Sequence, residues 1–263
     1  MDDCGERMQA GSTWWHLIGV CIVGLGLQTL SACGPPPEAR LQADERYQAA
    51  QAYLGGRSYI SAEQEIRRAL ELAPDEARYY ELLALINQAQ GRLQPAEDAY
   101  RTALQKPNAP PSILVNYSAL LLQRERPDEA ITLARRALQD PRYSKPAVAY
   151  TNLGLAYFKK GVLSQAIEHF RSALEYQPDL PEAHYNLGLV YAALGQNESA
   201  IRALREAIRY RPGYVEAHAK LGTTLLEAGR KDEARLAFER VIALAPDSDM
   251  ALASRKQLQH LTP

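Results

Sequence analysis

From residue 43 onward the apolar positions fall at helical spacing, and no strand-like alternation competes with them. Tyr150, Leu153, Gly154 and Tyr157 stand at i, i+3, i+4 and i+7, and Ala166, Phe170 and Ala173 follow at i, i+4 and i+7. The arrangement returns as His184, Leu187, Gly188 and Tyr191 with Ala200, Leu204 and Ala207, and again as His218, Leu221, Gly222 and Leu225 with Ala234 and Phe238. Each set predicts two helices that bury one stripe apiece. Pro74, Pro178, Pro212 and Pro246 close second helices, because proline cannot continue the hydrogen-bond ladder. Gly91, Gly161, Gly195 and Gly229 share one place just after a first helix, where a left-handed cap suits glycine.

The period is 34 residues, with one exception. Small residues opening the second helices are Ala62, Ala96, Ala130, Ala166, Ala200 and Ala234, at steps of 34, 34, 36, 34 and 34. A second small marker recurs as Ala69, Ala103, Ala137, Ala173 and Ala207. Gly or Ala in the first helix and Ala in the second let antiparallel helices approach to about 8–10 Å. Six units follow, at 43–76, 77–110, 111–144, 147–180, 181–214 and 215–248. The early units fit less closely, with Ala49-Ala50 and Tyr117-Ser118 where later ones carry Leu-Gly, and Arg142 where proline would stand. Two extra residues between units three and four, within 138–146, predict a break in the stacking and a bend. Residues 249–263 read as a mostly polar covering helix, capped by Asp247, Ser248 or Asp249.

This repeat resembles the tetratricopeptide (TPR) pattern. The resemblance implies an all-α, right-handed superhelix whose first helices line a concave groove that binds proteins. In the family, repeat positions 2, 5, 6, 9 and 12 face that groove. Carried onto this chain, they give Val115, Asn116, Ala119 and Leu122 in unit three, Val148, Asn152, Leu155 and Phe158 in unit four, and Tyr185, Asn186 and Leu189 in unit five. The set is an apolar strip with one Asn per unit. Apolar side chains supply burial, and an Asn amide can hold a peptide backbone by both donor and acceptor. Units one and six are more polar there, with Asp44, Gln48, Gln51, Glu216, Lys220 and Glu227. Lys220 alone cannot grip a C-terminal carboxylate.

Charge narrows the partners. Among 263 residues, 30 Lys and Arg face 31 Asp and Glu, which gives no support for nucleic-acid binding or a polybasic membrane patch. The repeat array leaves no room for a second catalytic domain. His184 and His218, one period apart, occupy a place for bulky packing side chains, as Tyr80 and Tyr150 do. That weighs against metal binding. No nucleophile elbow or catalytic triad occurs, so the reading is a non-enzyme without a cofactor, a metal or a small-molecule substrate.

The N-terminus carries an address. Leu17 to Leu27 is an apolar run that matches a secretory signal and is short for a bilayer span. Leu30-Ser31-Ala32-Cys33-Gly34 follows and resembles the bacterial lipobox. The resemblance implies removal of residues 1–32 as a signal peptide and acylation of Cys33. Residues 33–42 then form an acylated, Pro-rich tether. Two or more acyl chains give stable anchoring. Gly34 is not the Asp that retains enteric lipoproteins in the inner membrane, so outer-membrane residence facing the periplasm is expected. An uncleaved anchor helix is the alternative. Cys4 and Cys21 leave with the signal, which removes thiolate chemistry from the mature chain.

Lipobox, six TPR units and the break after unit three together resemble the type IV pilus biogenesis lipoproteins that serve as pilotins for the outer-membrane secretin. The most telling stretches are Asn116-Tyr117, Glu129-Ala130, Gln139-Asp140 with Tyr143, and Asn152-Leu153-Gly154-Leu155. That family implies binding of secretin subunits and promotion of their outer-membrane localisation and multimerisation. The alternative is another periplasm-facing TPR adaptor lipoprotein, serving outer-membrane protein insertion, peptidoglycan remodelling or polysaccharide export.

Overall fold

The computed structural model describes residues 36–261. Cys33 and the signal segment lie outside them. Within the described residues all regular structure is α-helical. Six antiparallel hairpins follow one another: α1 Pro37–Gly55 with α2 Tyr59–Leu72, α3 Ala77–Ala89 with α4 Leu93–Gln105, and α5 Ser112–Gln123 with α6 Pro127–Gln139. Then come α7 Pro146–Lys159 with α8 Leu163–Tyr176, α9 Pro181–Ala193 with α10 Asn197–Tyr210, and α11 Val215–Glu227 with α12 Lys231–Leu244. A last helix, α13 Asp249–Leu261, covers the open side of α11 and α12. Ser248 caps it, its hydroxyl accepting from the Ala251 amide at 3.1 Å. None of the helices in this region is long and apolar enough to cross a membrane.

Two layers result. The first helices touch one another along the array, α5 on α7, α7 on α9 and α9 on α11, and form the inner layer. The second helices wedge between consecutive first helices and form the outer layer. Close approach within hairpins is set by glycine opposite a large side chain. A Cβ at Gly154 would lie 2.6 Å from the Phe170 ring, one at Gly222 2.6 Å from Phe238, and one at Gly188 2.8 Å from Leu204. Turns inside the hairpins use the left-handed region, at φ 73° for Gly91, 75° for Gly161, 69° for Gly195 and 77° for Gly229. Arg57 (φ 58°) and Glu125 (φ 56°) occupy the same place in units one and three, where a side chain is strained.

Two expectations change. The segment read as a tether through residue 42 is helical from Pro37, because proline at the first helical position gives up no hydrogen bond. Ala43, fully buried, anchors this longer helix on α2. The two-residue insertion does not interrupt the stacking, since one core runs through it from Ala77 to Ala203. Asp140 accepts from the Arg142 amide and guanidinium at 2.7–3.0 Å and shapes the insertion into a turn. Leu138 and Tyr143 pack from it onto Leu114, Val115 and Ala149.

Candidate functional site

The inner layer is where side chains from successive units meet and remain reachable. On α3 the solvent-facing stripe is Arg78, Glu81, Leu85 and Gln88. On α9 it is Glu182, Tyr185, Leu189 and Ala192, and on α11 Glu216, Lys220, Thr223 and Glu227. Between these, α5 and α7 contribute Asn116, Ala119, Leu155 and Phe158, all half-buried. Val148 is more open, at 38% exposure.

Three of the residues expected in the groove belong to the packing instead. Val115 and Leu122 are covered, at 2% and 5% exposure, by the neighbouring helices. Asn152 spends its amide inside the wall, donating to the Val115 carbonyl at 3.0 Å and the Ser118 hydroxyl at 2.7 Å. It therefore ties α7 to α5 rather than presenting a donor to a guest. Asn116 is also engaged, donating to Glu81 Oε1 at 2.7 Å. Asn186, 8% exposed, has no hydrogen-bond partner among the described residues, and its amide is not sealed from solvent. Of the three asparagines, it is the one whose amide makes no hydrogen bond among the described residues. Tyr185 beside it packs on Tyr214 with ring centroids 5.0 Å apart.

His184 and His218 close loops. Each lies with Nε2 within hydrogen-bond distance of a proline carbonyl six residues earlier, 2.8 Å to Pro178 and 3.0 Å to Pro212. Burial, with Arg240 nearby, pushes the His218 pKa below its ordinary value against the hydrogen bond to Pro212.

Two acidic groups missed in the sequence stand out. Glu97, 1% exposed, sits between units two and three. Tyr117 donates to it at 2.9 Å and Arg126 at 2.8 and 2.9 Å, and Arg101 and Arg124 close the cluster. Burial works to raise its pKa, but the bonds from Arg126 and Tyr117 and the guanidinium charges outweigh it and hold the carboxyl below its ordinary value. Glu81 is the contrasting case. Only neutral groups hold it, Asn116 at 2.7 Å and the Ser112 hydroxyl at 3.5 Å, and no cation lies within ion-pair distance among the described residues. Its burial raises its pKa. The one sequence signal for it is its place at repeat position 5 of unit two, in line with the groove.

Residues 47–113 and 185–249 match a tetratricopeptide-repeat model, and residues 154–195 match a second TPR-repeat model, together more than half of the chain. The chain belongs to the tetratricopeptide repeat family. It is 30% identical over 129 residues to the type IV pilus assembly protein PilF of Pseudomonas aeruginosa, a match spanning 49% of this chain and 51% of that protein. The matched stretch is thus about half the length of that relative. Among solved TPR structures, PilW, a widely conserved type IV pilus biogenesis factor, superposes with TM-score 0.73 at 24% identity over 80% of this chain and 97% of PilW. The Pseudomonas aeruginosa PilF structure gives TM-score 0.70 at 21% identity over 84% and 99%. The APC/C Cut9–Hcn1 assembly, at 18% identity, also reaches 0.73, over 84% of this chain and 43% of that one. At such identities the structural likeness speaks for the fold, and the TPR scaffold is a protein-binding one.

Proposed function

We propose that this chain is a non-catalytic type IV pilus biogenesis factor that captures an outer-membrane secretin subunit and promotes its localisation and multimerisation. The observation that carries the reading is the 30% identity to the pilus assembly protein PilF. Near-complete coverage of the PilW and PilF chains supports it, because both describe a solenoid of the same extent. The groove around Leu155, Phe158, Tyr185, Asn186 and Leu189 is the surface assigned to the subunit. Acyl chains on Cys33 anchor the protein in the outer membrane, facing the periplasm.

Deleting the gene tests the role through heat-resistant secretin multimers on denaturing gels. Their loss is expected, and normal multimers in the deletion strain refute the reading. Cys33→Ala tests the anchor separately: the protein moves to the soluble periplasmic fraction, and unchanged membrane fractionation removes the lipid from the account.

A further inference from the structure

Glu81 is a carboxylate on the inner face, at the N-terminal end of the apolar strip, with no cation within ion-pair distance among the described residues. Its surroundings are aromatic and neutral. Burial first, and then the Glu81 charge, raise the pKa of both Tyr47 and Tyr100, which places the carboxylate close to two rings. Leu85 follows one helical turn on, and Ala119 and Leu155 continue the half-buried apolar path on α5 and α7. The arginine on its own stripe, Arg78, is already held by Asp44 at 2.5 Å. A largely buried charge that meets only neutral donors is costly unless a cation completes it. Of the other acids on the inner stripe, Asp44 is held by Arg78 and Glu182 by Arg211, while Glu216 and Glu227 are exposed.

We propose that Glu81 is a specificity-determining subsite that seats a Lys or Arg side chain of an extended protein segment, whose apolar residues then lie along Leu85, Ala119 and Leu155. The inference rests on the protein-capture reading above and adds the chemistry of the captured segment. Glu81 and Leu155 are two units apart, about 16–20 Å at an interhelix spacing of about 8–10 Å. An extended chain covers that in about five or six residues at roughly 3.3 Å each. The recognised segment therefore carries a basic residue about five or six positions from an apolar anchor. Asn186, one unit beyond Leu155, has an amide without a hydrogen-bond partner among the described residues.

The test uses fluorescence anisotropy with two dye-labelled peptides that differ at one position, lysine against its neutral isostere norleucine. An apolar cluster stands five or six residues away, built in both chain directions. The wild-type protein binds the lysine peptide about tenfold more tightly than the norleucine one, as expected for a partly desolvated charge pair. The preference shrinks with added salt. Glu81→Gln makes the two peptides equal while circular dichroism stays helical, and Glu81→Arg reverses the preference when glutamate replaces the lysine. An equal lysine preference in wild type and Glu81→Gln overturns the subsite, and so does failure of every peptide to bind. Secretin multimers in the deletion strain are a separate readout: if they are normal while the lysine preference holds, the subsite stands and the partner is another protein.

Discussion

Replacing Gly154 by Ala puts the spacing of one hairpin to a direct test. The new Cβ would lie 2.6 Å from Cδ1 and Cε1 of Phe170 and 2.9 Å from Cγ. Carbon atoms prefer about 3.5–4.0 Å, so the ring must retreat by about 1 Å. Phe170 is fully buried in the main core, with no open space to retreat into. Overpacking of this kind costs about 1–3 kcal/mol, and the upper part of that range applies. Alanine returns about 1 kcal/mol through helix propensity. The net loss for Gly154→Ala is therefore about 1–2 kcal/mol. Gly188→Ala is milder, because the obstacle is the Leu204 side chain at 2.8 and 3.0 Å, which can change rotamer. Unit two shows that alanine is tolerated where the pair is spaced for it, with Ala84 and Tyr100 at the same repeat positions and both fully buried.

A double-mutant cycle isolates the ring as the cause. Phe170→Leu alone loses about 1–2 kcal/mol from the vacated volume. Combined with Gly154→Ala, the added methyl occupies part of that volume, and the pair is less destabilised than the sum by about 1 kcal/mol. Urea unfolding followed by far-UV circular dichroism measures all four proteins. Additivity to within about 0.5 kcal/mol, or a neutral Gly154→Ala, refutes the argument that glycine stands there to admit the ring.

Three further outcomes follow from the same structure. Glu97→Gln lowers stability at pH 7 by about 2 kcal/mol, a figure reduced because Arg101, Arg124 and Arg126 keep part of their hydration. The depressed carboxyl contributes fully above its ordinary pKa of 4.5 and loses that contribution as pH falls through its lower folded value, so the variant's stability declines less in acid than the parent's, read from urea midpoints between pH 5 and 3. Glu81→Gln has the opposite sign. Its pKa is raised, so the charged form costs stability at pH 7; the variant has the higher urea midpoint there, and the difference closes as pH falls and the parent carboxyl protonates. Gly161→Ala, at φ 75°, loses about 0.5–1.5 kcal/mol, the left-handed penalty less the entropy gained in the unfolded chain, and a neutral thermal melt contradicts it.

The hairpins, their glycine turns and the covering helix were legible because each follows from a residue that one conformation favours. Gly91, Gly161, Gly195 and Gly229 announce a left-handed turn by type. Arg57 and Glu125 make the same turn without announcing it, since their neighbours in the solenoid impose the conformation and the side chain does not report it. The asparagine column illustrates a second limit. Asn116, Asn152 and Asn186 share a repeat position, yet what each amide meets is decided by the next unit. Asn152 meets a serine and a carbonyl, Asn116 meets Glu81, and Asn186 meets neither. Repeat position gave the direction of these side chains, but their availability depends on contacts made 34–37 residues away. The start of α1 was missed for a related reason: Pro35-Pro36-Pro37 reads as extended chain, but proline is also well placed to open a helix that Ala43 and Ala50 bury against α2.

The two ends of the solenoid are fastened differently, and the difference bears on where a guest binds. Units four to six close on glycine against a large side chain, at Gly154, Gly188 and Gly222. Units one to three rely more on charge, with Arg92 held by Glu63, Arg78 by Asp44, and Arg101, Arg124 and Arg126 by Glu97. Each of these guanidinium groups is committed to another carboxylate, and none of them lies within ion-pair distance of Glu81. A fold that gathers so many ion pairs in three units and leaves a half-buried inner-face acid with neutral partners has kept one charge out of its own network. Because an exposed pair of charges contributes little while a desolvated one discriminates strongly, the unpaired carboxylate is worth more to recognition than to folding. The stability gained by Glu81→Gln and the binding preference lost with it are two readings of that one trade, and a variant that gained stability while keeping the lysine preference would separate them.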